Sequence, residues 1–167
     1  MQDPKLGPTA APTATEPKEG EDVVVLHTDN GLKGFGYTGT HALLPGDQLI
    51  TDFISHLYAP LLLGEEVTEI RKLWKKLYHQ PPIQWIGRAG ISQLALACVD
   101  VALWDLKAKA ANQPLWRLLG KRQAPVVEAY NTDFGWLNIP MDRLVAGNQR
   151  VIADGFKGVK IKVGHPD

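Results

Sequence analysis

The apolar positions run first with a period of two and then with helical spacing. Val23-Val24-Val25-Leu26-His27-Thr28 is β-branched and predicts a strand. Asp29-Asn30-Gly31 is a turn signal, and Leu32 to Tyr37 predicts the returning strand of a hairpin. After Pro45-Gly46, the positions Leu49, Ile50, Phe53, Ile54, Leu57, Tyr58 and Leu61 recur at helical spacing. A second helix is expected with Thr68 near its start and Ile70, Leu73, Trp74, Leu77 and Tyr78 on one face; Pro81-Pro82 should end it. Residues 91–110 are apolar nearly all round, through Ile91, Leu94, Leu96, Val99, Leu103 and Leu106 with alanines between. Such a helix is buried on several sides. Asn112 suits its left-handed stop, Pro114 opens a short helix over Leu115 to Leu119, and Gly120 closes it.

The pattern changes after Lys121. Pro125 to Asn131 predicts a strand, 140–154 a helix with Pro140 in its first turn and Gly155 as its stop, and Gly158 to Gly164 a second strand. Strand, helix and strand within about 40 residues make a βαβ unit with parallel pairing. The chain therefore divides into a proline-rich arm (1–22, with Pro4, Pro8, Pro12 and Pro17), an α+β domain over 23–120, and the opening of an α/β domain over 125–167. Two parallel strands and one helix leave too much apolar face uncovered to fold alone. The last segment thus reads as cut short at its C-terminus.

Composition narrows the function. Of 167 residues, 44% are hydrophobic and 22% charged, with 18 basic balanced by 18 acidic residues. Zero net charge argues against a nucleic-acid or anionic-membrane partner held by bulk charge. The single cysteine, Cys98, excludes a disulfide framework and any Cys-based zinc cluster. No apolar run reaches transmembrane length and residues 1–22 lack a signal-peptide core, so the expected location is cytoplasmic.

Several motifs dissolve on inspection. Gly34-Phe-Gly36-Tyr-Thr-Gly39 fits G-x-G-x-x-G, yet the turn before it puts the glycines on a hairpin strand, and the next helix starts too late for a phosphate cradle. Lys72, Lys75 and Lys76 beside Trp74 and Tyr78 read as the solvated face of an amphipathic helix. The histidines, His27, His41, His56, His79 and His165, lack the spacing of zinc helix motifs. His165 alone follows a distinctive strand, Gly158-Val-Lys160-Ile-Lys162-Val-Gly164. There Val159, Ile161 and Val163 share one face, and Lys160 and Lys162 the other. If the β-branched face packs under crossover helices, the lysines face the inside of the sheet or barrel. Mutual repulsion and desolvation both lower an ammonium pKa there, which suits a general base. An edge strand with two snorkelling lysines is the other reading.

The sequence resembles the mandelate racemase and muconate-lactonizing branch of the enolase superfamily. The resemblance rests on Thr28-Asp-Asn-Gly31 through Gly34-Phe-Gly36, on ALACVDVALWDLKAKAANQPLWRLLG (95–120) and on GFKGVKIKVG (155–164), and it covers about residues 23–167. EAYNTDFGWL (128–137) with KIKVGHPD (160–167) is similar to acid-sugar dehydratases of the galactarate and talarate type. It implies an α+β capping domain followed by the start of a (β/α) barrel: strand one, helix one and strand two. Lys162 matches the catalytic lysine, Lys160 its companion near the substrate carboxylate, and Asn131 and Thr132 would line the substrate pocket. A specificity loop would fall in 38–46 or in the arm. The family's additional first cap strand is not expected from residues 1–22.

The resemblance further implies a Mg2+ cofactor whose carboxylate ligands, with a His–Asp pair, lie beyond Asp167. No metal ligand is assigned within this chain. The implied full-length protein abstracts the proton next to a carboxylate through an enediolate, with Lys162 as base. It would be a lyase acting as a dehydratase on an acid sugar, or a racemase or cycloisomerase, and a homo-oligomer. The alternative is a non-catalytic capping-domain fragment acting only in association with other chains.

Overall fold

The computed structural model describes residues 11–14, 22–40, 44–87, 89–120 and 126–164. It divides into two compact units, Met1–Lys121 and Arg122–Asp167.

In the first unit, β2 (Asp22–His27) and β3 (Lys33–Thr38) form the expected antiparallel hairpin. Its turn is closed by Thr28 N–H to Leu32 O and Gly31 N–H to Thr28 O, both 3.0 Å, with Gly31 at φ +85°. A third strand, β1 (Ala11–Ala14), pairs antiparallel with β2, Ala11 opposite His27, in the order β1-β2-β3. This corrects the expectation of an arm that supplies no cap strand. An edge strand is held by main-chain bonds that any side chain permits, and an edge is where a sheet tolerates a proline such as Pro12. His41, Arg88 and His165 lie outside the described residues.

The helical pattern opens at Leu44, ahead of Pro45-Gly46, as α1 (Leu44–Phe53). Proline is at home in a first turn, where its missing N–H has no intrahelical partner. The helix continues through a wide π-helical turn, Ile54–Tyr58, into α2 (Ala59–Leu62). Ile50, Ile54, Tyr58 and Leu62 are all buried. Steps of four drift about 40° each around an α-helix of 3.6 residues per turn. The wider turn slows that drift and keeps the row on the core.

Next come α3 (Ile70–Tyr78), α4 (Pro81–Ile86), α5 (Ile91–Ala110) and α6 (Leu115–Leu119). Pro81-Pro82 ends one helix as expected and also begins α4. As predicted, α5 is buried on several sides: Leu96, Cys98, Val99, Ala102, Leu103 and Leu106 are inaccessible or nearly so. Asn112, at φ +49°, makes its left-handed stop. The core joins α5 to Val24 and Leu26 of β2 and to Leu73 and Leu77 of α3.

The G-x-G-x-x-G glycines have a packing role. Gly36 pairs with Val24 and Gly34 with Leu26 on the sheet face turned to α5. A Cβ on Gly36 would collide with the Cys98 carbonyl, and one on Gly34 with the Ala102 carbonyl and the Leu106 side chain. Asp105 of α5 accepts the Phe35 N–H at 2.8 Å and the Lys109 ammonium at 2.6 Å, and so caps an exposed donor of β3.

In the second unit, β4 (Tyr130–Asn131) and β5 (Gly158–Val159) pair in parallel, Tyr130 opposite Gly158, with α7 (Met141–Ala153) between them in sequence. Gly155, at φ +99°, follows the helix as expected. Both strands are shorter than predicted. Among the described residues neither has a second neighbour, so pairing persists only where the two face each other. Among the described residues of this unit only Gly135 and Val151 are buried, while Val126, Val127, Met141 and Ile161 are exposed.

Candidate functional site

The four residues singled out by sequence lie together at the C-terminal ends of β4 and β5. Asn131 faces Val159 across the parallel pair, and its carbonyl accepts the Lys160 N–H at 2.9 Å. Its side-chain oxygen accepts the Asp133 N–H at 2.9 Å and turns the chain into a loop. Thr132 follows, half-buried, and its carbonyl faces the Gly135 N–H at 3.4 Å. The Lys162 N–H then reaches back to the Gly135 carbonyl at 2.8 Å. Amides two apart thus bond toward the same neighbour, as an extended strand requires, and Lys160 and Lys162 belong to one face.

Sequence reasoning expected those lysines to face an interior. Here both are exposed, as is Val163 on the opposite face at 87%. The physical reason is the two-stranded sheet: enclosure needs further strands, and the described residues of this unit hold none.

Two residues of the site were not singled out by sequence. Gly135 is buried where the loop crosses the strand, and a Cβ there would strike the Lys160 carbonyl. Trp136 places its ring under the Lys162 ammonium, 3.4 Å from centroid to Nζ. A glycine-aromatic pair after a strand was the available signal, but nothing local says which lysine it meets.

Other chemistry-bearing groups belong to the first unit. Lys76, assigned by sequence to a solvated face, instead ties Glu65 to the Leu61 carbonyl, and its bond holds the Glu65 carboxyl below the usual range. A shallow groove of about 680 Å³ is lined by Thr68, Arg71, Lys75, Trp104 and Lys107. Beside it, burial pushes the Asp100 carboxyl up, opposed by a hydrogen bond from the Trp104 indole. Asp47, at the edge of the suggested 38–46 loop, is fully buried. One of its oxygens accepts the Thr40 N–H at 2.9 Å and hydroxyl at 2.6 Å; the other has no partner among the described residues.

No group of three or more His, Cys, Asp or Glu residues could hold a metal ion among the described residues. No described helix is long and apolar enough to cross a membrane.

Residues 2–120 match the family described as mandelate racemase / muconate lactonizing enzyme, N-terminal domain. The chain is 34% identical over 144 residues to the 3,6-anhydro-alpha-L-galactonate cycloisomerase of Streptomyces coelicolor, covering 86% of this chain and 38% of that protein. It is 33% identical over 145 residues to the L-talarate/galactarate dehydratase of Salmonella typhimurium, covering 87% and 35%. The crystal structure of that dehydratase with Mg and L-lyxarohydroxamate superposes with a TM-score of 0.77 at 29% identity, over 96% of this chain and 43% of that one. A racemase from Streptomyces coelicolor with bound magnesium gives 0.81 at 30%, over 97% and 47%. The chain therefore spans little more than a third of the length of these two curated relatives.

Proposed function

Because the chain belongs to the mandelate racemase/muconate lactonizing enzyme family of the enolase superfamily and carries its N-terminal capping domain, we propose that it is part of an acid-sugar dehydratase or racemase that removes the proton next to a substrate carboxylate. The second unit is then the start of a (β/α) barrel. The observation that carries this reading is the cluster of Lys160, Lys162, Asn131 and Thr132 at the C-terminal ends of two parallel strands, where parallel α/β folds put their chemistry.

In this reading the Lys162 Nζ lone pair takes the proton from the carbon next to the carboxylate. The C–H electron pair passes into the carboxylate as an enediolate, and Lys162 becomes an ammonium. Lys160 lies beside the negative charge that builds on the carboxylate, where a fixed cation stabilises the transition state. Asn131 and Thr132 line the pocket. In a dehydratase the hydroxyl on the neighbouring carbon then departs as water with a proton from a general acid, and the enol left behind tautomerises to the 2-keto acid; in a racemase a proton returns to the other face.

Magnesium is bound in the solved relatives, and its chemistry is polarisation of a carboxylate oxygen. The described residues of this chain do not form a ligand set for it, and in this reading its ligands would come from residues outside them.

The test uses the product of the complete reading frame with magnesium and a panel of aldarates and aldonates. Lys162→Ala should cost at least about a hundredfold in kcat, with KM little changed. Full turnover by that variant would overturn the proposal. Residues 1–167 alone should show no turnover.

A second reading, of a capping fragment that works only in association with other chains, draws on the exposed Val126, Val127, Met141 and Ile161. A stop codon after Asp167 together with an inactive product would favour it.

A further inference from the structure

We propose that Trp136 is a positioning residue for Lys162: its indole face sets where the amine at the end of β5 stands. The inference rests on the reading of Lys162 as the base. It draws on three independent features of the loop.

First, the Lys162 Nζ lies over the Trp136 ring at 3.4 Å from the centroid. Cations within about 6 Å of a ring centroid are attracted by its negative face, and tryptophan offers the strongest such face, so the attraction acts on the ammonium that Lys162 becomes on taking the proton. Second, the main chain that carries the ring is tied to that of the lysine. Its neighbour Gly135 accepts the Lys162 N–H at 2.8 Å, so the residue before the ring is bonded to the main chain of the lysine that the ring supports. Third, the contact is sterically specified. Gly135 passes so close to the Lys160 carbonyl that a Cβ would not fit, which brings the loop flat onto the strand. On the far side, the Trp136 carbonyl accepts the Ile139 N–H at 3.1 Å and turns the chain toward α7.

A lysine needs such help. Its amine ends a flexible four-carbon stem. A general base must come within about 3 Å of the proton it removes, and a misplacement of about 1 Å can cost a hundredfold. Trp136 is 47% exposed, so its ring is partly open to solvent while it carries the lysine. Lys160, two residues earlier, lies over no described ring. The same strand thus carries one lysine with an aromatic support and one without.

Two measurements test this. The first needs no turnover. In the 167-residue chain with labelled lysines, the Lys162 Hε and Cε resonances should show an upfield ring-current shift that vanishes in Trp136→Leu and partly returns in Trp136→Phe. A parent chain with Lys162 Hε at the position of an ordinary exposed lysine would overturn the proposal, whatever the variants do. The second uses the product of the complete reading frame. Trp136→Leu should lose roughly tenfold to a hundredfold in kcat with KM within about threefold, and Trp136→Phe should recover most of it. Adding Trp136→Leu to Lys162→Ala should cost nothing further. If Lys162→Ala is inert but Trp136→Leu matches the parent, this inference fails alone. If Lys162→Ala turns over normally, the reading of Lys162 as base fails instead.

Discussion

The main chain of Gly36 lies against the carbonyl oxygen of Cys98 with no room for a Cβ between them. This is how α5 comes to rest on the hairpin. Opposite Gly36 and Gly34 stand Val24 and Leu26, so each inward-facing pair sets one bulky side chain beside an open seat for the helix.

Gly36→Ala should therefore destabilise the first unit by about 2–4 kcal/mol, at or above the upper range for overpacking, because the obstruction is backbone. Gly31→Ala makes the contrast. Nothing stands near its missing Cβ, so only the positive φ is penalised, and about 1 kcal/mol is expected. Urea unfolding of both variants checks the ranking. Equal losses would mean that the helix can lift from the sheet.

Leu103→Asp should unfold the first unit. Leu103 is buried among residues of the core on α5, and an unpaired carboxylate there costs several kcal/mol. Circular dichroism melting of the variant reads this directly; a melt within a degree or two of the parent would place α5 at the surface.

Alkaline stability should carry the signature of Tyr58. Its phenol is buried and donates to the Ser92 carbonyl at 3.2 Å, and burial pushes its pKa up to about 12 from an ordinary 10. A group raised in the folded state contributes fully below its unfolded pKa. The contribution is lost as pH climbs from 10 through 12, up to roughly 3 kcal/mol. Tyr58→Phe should flatten that limb while costing about 1 kcal/mol near neutrality for the lost hydrogen bond. Unfolding free energies from pH 8 to 12 for both chains decide it. Parallel curves would show that the ring ionises as freely as in water.

Asp105→Ala should cost about 1–2 kcal/mol, since it strips the Phe35 N–H of its acceptor and Lys109 of its partner. Amide exchange should quicken first at Phe35. Unchanged protection there would mean that water replaces the carboxylate without loss.

Much of this molecule is legible in its sequence because the responsible signals are local. The all-round apolar pattern of 91–110, the left-handed stop at Asn112 and the Gly155 stop after α7 each depend on a few adjacent residues. The parallel pairing of β4 with β5 followed from the spacing of strand, helix and strand. Ala11–Ala14 was not legible, because an edge strand is held by main-chain bonds that leave no imprint on side-chain pattern. The two glycines of the hairpin were visible as a motif, but their use as seats for α5 depends on residues some 60 positions later. Trp136 and Lys162 meet across 26 residues, which no periodicity reports.

The wide turn at Ile54–Tyr58 also bears on how this chain tolerates change in length. A π turn accommodates one residue more than the α-helical repeat, so losing a single residue there would leave a regular helix with every hydrogen bond intact. The backbone would gain regularity, and the side chains from Ala59 onward would keep their facing, because five residues in the wider turn sweep about the same angle as four at the α-helical step of about 100°. Leu62 would stay in the core that now holds it. The segment that looks least regular is therefore the one where a one-residue deletion would be most readily absorbed, because the wide turn already holds one residue more than the phase of the helix requires.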